Sequence, residues 1–95
     1  MRNILDVYGR IQEIKPYQVF VTATDSFLSG WGKASGKTAK QVIICEDWTQ
    51  AEKAANNMQG NGFKYINICR RFPSYSSARY TVSVRHISDC PLFLL

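Results

Sequence analysis

The stretch from residue 41 to residue 72 constrains the fold more than any other, because it reads as strand, helix and strand with its boundaries written in the residues. Residues 41–46, QVIICE, are apolar on both faces. Such a strand is central in its sheet or lies beneath a helix. Asp47 then opens the clearest helix of the chain, over 47–59: its carboxylate can accept from the first-turn amides while Gln50 stands at the capping-box position. Ala51, Ala54, Ala55 and Met58 form a narrow apolar stripe, small enough for the helix to lie close against a sheet, and Trp48 in the first turn could close one end of the core. Gly60, Asn61 and Gly62 supply a left-handed stop. Residues 63–72, FKYINICRRF, follow as a strand, with Phe63, Tyr65, Asn67, Cys69 and Arg71 on one side and Lys64, Ile66, Ile68, Arg70 and Phe72 on the other.

Two more strands complete the expected sheet. Residues 18–24, QVFVTAT, are rich in β-branched side chains, with Val19, Val21 and Ala23 alternating against Phe20, Thr22 and Thr24. Residues 78–87, ARYTVSVRHI, place Tyr80, Val82, Val84 and His86 inward and Arg79, Thr81, Ser83 and Arg85 outward. At the N-terminus, Asn3 can cap a helix whose apolar positions Ile4, Val7, Tyr8, Ile11 and Ile14 follow helical spacing up to Pro16, although Gly9 opposes it; an extended arm is the alternative. The chain is therefore expected to be one α+β domain over 1–95: a mainly antiparallel sheet of about four strands, one helix on one face, and a short N-terminal helix.

Composition narrows the function classes. The protein has 95 residues, 45% hydrophobic and 13% aromatic, enough for one packed core and too few for a second. No apolar run approaches the roughly 20 residues of a membrane span, and the N-terminal residues lack the pattern of a secretory signal, so a cytoplasmic protein without membrane contact is expected. Cys45, Cys69 and Cys90 are unclustered and read as reduced thiols. The net charge of +5 favours acidic partners, and apart from Asp89 every charged residue after Glu52 is basic.

The motifs exclude more than they assign. The GKT at Gly36–Thr38 lacks a glycine five positions earlier, where Trp31 stands, and precedes a strand instead of a helix, so it is no phosphate loop. The three cysteines and the sole histidine, His86, are scattered, without the paired spacing of a zinc site. His86 reads as a hydrogen-bonded structural residue, and Asp25 and Asp89 as turn caps, so neither nucleophilic nor acid–base catalysis is expected, nor any cofactor or metal. What remains is basic and aromatic. The loop FLSGWGKASGKT at residues 27–38 offers Phe27 and Trp31 beside Lys33, Lys37 and, just beyond it, Lys40, and these four residues, Phe27, Trp31, Lys33 and Lys37, are the candidate anchor for a partner. Tyr75 and Tyr80 stand among Arg70, Arg71, Arg79 and Arg85, the combination of base platforms and phosphate-binding cations that holds single-stranded nucleic acid.

Taken together, TDSFLSGWGKASGKT, VIICEDWTQAEKAANNM, KYINICRRFP and ARYTVS resemble small accessory proteins encoded by bacteriophages, over residues 18–87. The resemblance implies action in the cytoplasm of a bacterial host by binding, including interference with nucleases or CRISPR complexes, and carries over no catalytic residue. Three readings stay open: a non-enzymatic accessory protein that engages a host protein or nucleoprotein through Phe27, Trp31, Lys33 and Lys37; a direct nucleic-acid binder using Arg70, Arg71, Arg79 and Arg85 together with Lys33 and Lys37 of the aromatic, glycine-rich loop; and a homodimeric structural subunit joined through an edge strand or through the apolar PLFLL tail.

Overall fold

Among the described residues, six strands and one helix form three layers. The computed structural model describes residues 2–24, 38–76 and 78–89. In chain order the elements are β1 (Arg2–Leu5), β2 (Ile11–Ile14), β3 (Val19–Thr24), β4 (Thr38–Cys45), α1 (Trp48–Gly60), β5 (Lys64–Cys69), β6 (Tyr80–His86) and a 3-10 turn at Ile87–Asp89. Strands β3 to β6 make one sheet in the order β5-β3-β4-β6. The β3 pairings with β4 and β5 are antiparallel, while β4 and β6 run parallel, so the expected α+β architecture holds with a mixed sheet.

Strands β3 and β4, at the centre of the middle layer, are buried on both sides. On one face Val19, Val21, Ala23, Ile43 and Cys45 meet Ala51, Ala54 and Met58 of α1, and the alanines bring the helix down onto the sheet. Asp47 caps α1 by accepting from the Gln50 amide at 2.8 Å, while the Gln50 side chain reaches back to the Glu46 amide at 2.8 Å. At the other end the Phe63 amide bonds the Met58 carbonyl and the Gly62 amide bonds the Gln59 carbonyl, with Gly62 at φ 86°. That is a Schellman stop, and the Phe63 ring packs into the same core as Met58.

The opposite face is closed by the N-terminal segment, and here the extended alternative holds, as a hairpin, in place of the helix expected over 4–14. Residues 2–14 form an antiparallel hairpin, with Ile4 opposite Gln12 and Leu5 opposite Ile11. The deciding residue is Asp6: its Oδ1 accepts the backbone amides of Tyr8 and Arg10, both at 2.9 Å, its Oδ2 accepts from the Gln12 side-chain Nε2 at 2.8 Å, and Gly9 turns the chain back at φ 79°. Ile4 and Ile14, which helical spacing would also align, instead point together onto Phe20, Val42, Ile44 and Val84. Burial of that sheet face outweighs a local helical preference that Gly9 already weakens. The Val7 amide bonds the Val84 carbonyl at 2.7 Å, so the hairpin turn also covers part of the outer edge of β6.

The Asp6 turn makes stability depend on pH. Burial pushes the Asp6 carboxyl up, but the hydrogen bonds from Gln12, Arg10 and Tyr8, with the Arg10 guanidinium, outweigh it and hold the group below the ordinary aspartate value. A depressed folded-state pKa gives stability that is present above the unfolded value, about 3.9, and is lost as pH falls through the folded one. Glu46, held down chiefly by the hydrogen bond from Gln18, acts in the same direction in the ordinary glutamate range. Melting curves of the native protein and of Asp6→Asn should therefore differ by several degrees at pH near 6 and converge as the pH is taken below about 4. A gap independent of pH would mean that the carboxylate charge contributes nothing.

Candidate binding face

Beyond the end of the hairpin, the same sheet face carries a cluster of tyrosines around one lysine. Lys40 of β4 is half-buried, and its Nζ lies 5.8 Å from the ring centre of Tyr65 and 5.9 Å from those of Tyr75 and Tyr80. It also donates to Thr24 Oγ1 at 2.8 Å. Tyr75 and Tyr80 are tilted against each other with centroids 5.2 Å apart. Each ring within about 6 Å attracts the ammonium through its quadrupole. No carboxylate among the described residues forms an ion pair with Lys40.

The four residues come from three separate parts of the chain. Register explains why they meet: Thr24 pairs with Lys40 on one side and with Lys64 on the other, and Thr38 pairs with Tyr80 across the parallel ladder. Tyr65 takes its position through an irregularity. The β3–β5 register shifts between Thr22 and Thr24, and Tyr65 sits at that bulge with φ 55°. A left-handed conformation costs a residue with a Cβ about 1–2 kcal/mol. Tyr65 recovers little of that by burial, because it is 75% exposed. Bulges re-aim side chains, and this one leaves the exposed phenol ring beside Lys40. Asn67, two residues on, is exposed on the same side of β5, and its amide nitrogen donates to the Tyr65 carbonyl at 3.3 Å.

The four arginines singled out from the sequence do not share one surface. Arg70 and Arg71 follow β5 at the far end of the sheet, where together with Lys15, Pro16, Phe20 and Phe72 they line a cavity of about 590 Å³. The Arg70 guanidinium also lies 4.8 Å from the ring centre of Trp48, which is 39% exposed and so does not seal the core. Arg79 stands in the turn that leads into Tyr80, at the tyrosine end, its amide bonded to the Ser76 carbonyl at 3.1 Å. Arg85 alternates with the buried Val84 and so lies on the helix side of β6; its Nε has no hydrogen-bond partner among the described residues. The row Arg79, Thr81, Ser83, Arg85 is thus no solvent-facing basic stripe, since β6 is an edge strand whose Val82 is exposed and whose Arg85 is half-buried. Phe27, Trp31, Lys33 and Lys37 lie outside the described residues, as do Cys90 and the PLFLL tail.

His86 belongs to a hydrogen-bonded chain at the other end of the face. Gln18 donates to Glu46 Oε2 at 2.7 Å, His86 Nε2 lies 3.4 Å from the same oxygen, and the Ser88 amide donates to His86 Nδ1 at 3.1 Å. Those contacts fix the tautomer with hydrogen on Nε2. They tie the ends of β4 and β6 to the corner between β2 and β3.

Sequence reasoning missed Tyr65 as a site residue because FKYINIC alternates like an ordinary strand, and one extra residue in a ladder leaves no mark in hydrophobic pattern. Comparison with models of protein families, with curated proteins and with solved structures finds no match to this chain.

Proposed function

We propose that the protein is a non-enzymatic accessory protein of the phage type, acting by binding a host nucleoprotein, and that the face formed by Lys40, Tyr65, Tyr75 and Tyr80 is the contact surface. The observation that carries this reading is the Lys40 cluster itself: three aromatic rings gathered around one cation that no carboxylate among the described residues neutralises. A fold-stabilising lysine at the protein surface finds water or an acidic neighbour readily. One held between π faces presents its charge and three flat surfaces together, which suits a partner that is both acidic and aromatic.

The hairpin offers ground for a second reading, of a purely proteinaceous partner. Leu5 and Ile11 are directly paired on its outer side and are 63% and 65% exposed, with Val7 and Tyr8 exposed beside them at the turn. Contiguous apolar side chains of this kind are the usual mark of a protein contact.

One experiment separates the two. Capture from lysate of a bacterial host is run with the native protein, with a Lys40→Gln, Tyr65→Leu double variant, and with Leu5→Ser, Ile11→Ser. Loss of the captured material with the first variant alone supports the tyrosine face; loss with the second alone moves the contact to the hairpin and overturns the first reading.

A further inference from the structure

We infer that the ligand of the Lys40 face is a single-stranded nucleic acid, with bases stacked on Tyr65 and on the Tyr75–Tyr80 pair and phosphates drawn to Lys40. This rests on the binding role proposed above for that face.

The chemistry of the cluster selects the ligand. An unpaired nucleotide brings a flat π surface and a negative charge within one short unit, and the face presents the complements of both within about 6 Å of Lys40 Nζ. Tyr65 is the base platform: the residue is three-quarters exposed, and its ring centre lies 5.8 Å from Lys40 Nζ. Asn67 lies exposed beside it on the same strand side, with an amide oxygen to offer the edge of a stacked base. A duplex fits poorly, because its base faces are already stacked on one another and only its phosphates could reach the cluster.

The surroundings extend the same complementarity. Lys64 adjoins Tyr65 and is exposed, and Arg79 immediately precedes Tyr80. Five to six residues on from Tyr65, just past the end of β5, Arg70 and Arg71 join Lys15 around the cavity at the opposite end. Between Lys53 and Ser88 the chain holds no acidic residue. A strand that runs beside β5 from the tyrosines to the arginines thus meets cations at both ends and no carboxylate from this part of the chain. Arg85, on the helix side, takes no part.

The test measures fluorescence anisotropy of labelled oligothymidylate, oligoadenylate and a duplex of equal length, at about 50 and 200 mM salt. The expected result is binding of the single strands that weakens strongly with salt, with duplex roughly tenfold or more weaker. Tyr65→Leu should weaken single-strand binding roughly tenfold, whereas Tyr65→Phe, which keeps the ring, should leave it within about twofold. Tyr65→Gly serves as the folding control, since it relieves the left-handed strain and should melt no lower than the native protein while losing the same affinity. Duplex bound as tightly as single strand, or single-strand binding indifferent to Tyr65→Leu, overturns the inference and leaves the binding role standing. So does an absence of oligonucleotide binding when lysate capture still depends on Lys40 and Tyr65, which makes the ligand a protein. Capture indifferent to the Lys40→Gln, Tyr65→Leu variant sinks the binding role itself.

Discussion

Phe20→Ala is expected to lower stability by about 3–5 kcal/mol, the usual cost of emptying a buried phenylalanine site. Phe20 is 1% exposed and stands where three parts of the fold meet. Ile4 and Ile14 of the hairpin press on it from above, Val42, Ile44 and Val84 flank it in the sheet, and Phe72 contacts it edge to face with ring centres 5.3 Å apart. Truncation leaves a hole between hairpin and sheet and removes the aromatic pair. A domain of this size has about 5–15 kcal/mol in total, so the melting temperature should fall by more than roughly 10 °C. Phe20→Leu, which fills most of the volume, should lose far less. Thermal unfolding followed by circular dichroism decides the matter: equal and small losses for both variants would mean that the hairpin is not seated on this face.

Lys40→Gln is expected to reduce affinity for single-stranded oligonucleotide roughly tenfold and to flatten its salt dependence by about 0.7 in the slope of log K against log salt, the signature of one lost phosphate contact on a single strand. The same change removes a cation from between three rings, so a stability loss of about 1–2 kcal/mol should accompany it. The two effects are separable. A purely structural lysine would lower the melting temperature and leave the slope alone, whereas a ligand cation shifts the slope even when binding is measured well below the melting transition. Anisotropy titrations of the native and Lys40→Gln proteins across the salt range are the check.

Local physical signals explain which parts of the fold were legible. The helix was readable because its start and stop are short-range events: a carboxylate three residues from an amide at Asp47, and a glycine at Gly62 that tolerates φ 86°. Strand β4 was readable as doubly buried because VIIC carries no polar face. Strand β3 was not, since Thr22 and Thr24 look like an outward row yet are buried at 4% and 6% exposure. Nothing within VFVTAT records that the hairpin and Tyr75 pack against that face. The N-terminal misreading has the same origin, because Ile4, Val7, Tyr8, Ile11 and Ile14 satisfy helical spacing while a side-chain acceptor at Asp6 and a left-handed Gly9 make a turn between two short strands.

The candidate site divides along the same line. Residue types pointed to basic and aromatic binding, and Tyr75, Tyr80 and Arg79 were in view from the sequence. Their assembly was not: Arg70 and Arg71 fall at one end of the sheet, Arg85 on its other side, and Lys40 and Tyr65 join the tyrosines only through ladder register and one bulge. By itself the sequence determined the helix with its caps, the strand segments from β3 to β6 and the basic, aromatic character, because each follows from contacts within a few residues or from composition. Only the tertiary structure decided that β4 and β6 run parallel, that residues 2–14 fold as a hairpin over Phe20, and that Tyr65, Tyr75 and Tyr80 surround Lys40. Those depend on pairing between residues far apart in the chain, whose free energy comes from burying a shared face that no local segment contains.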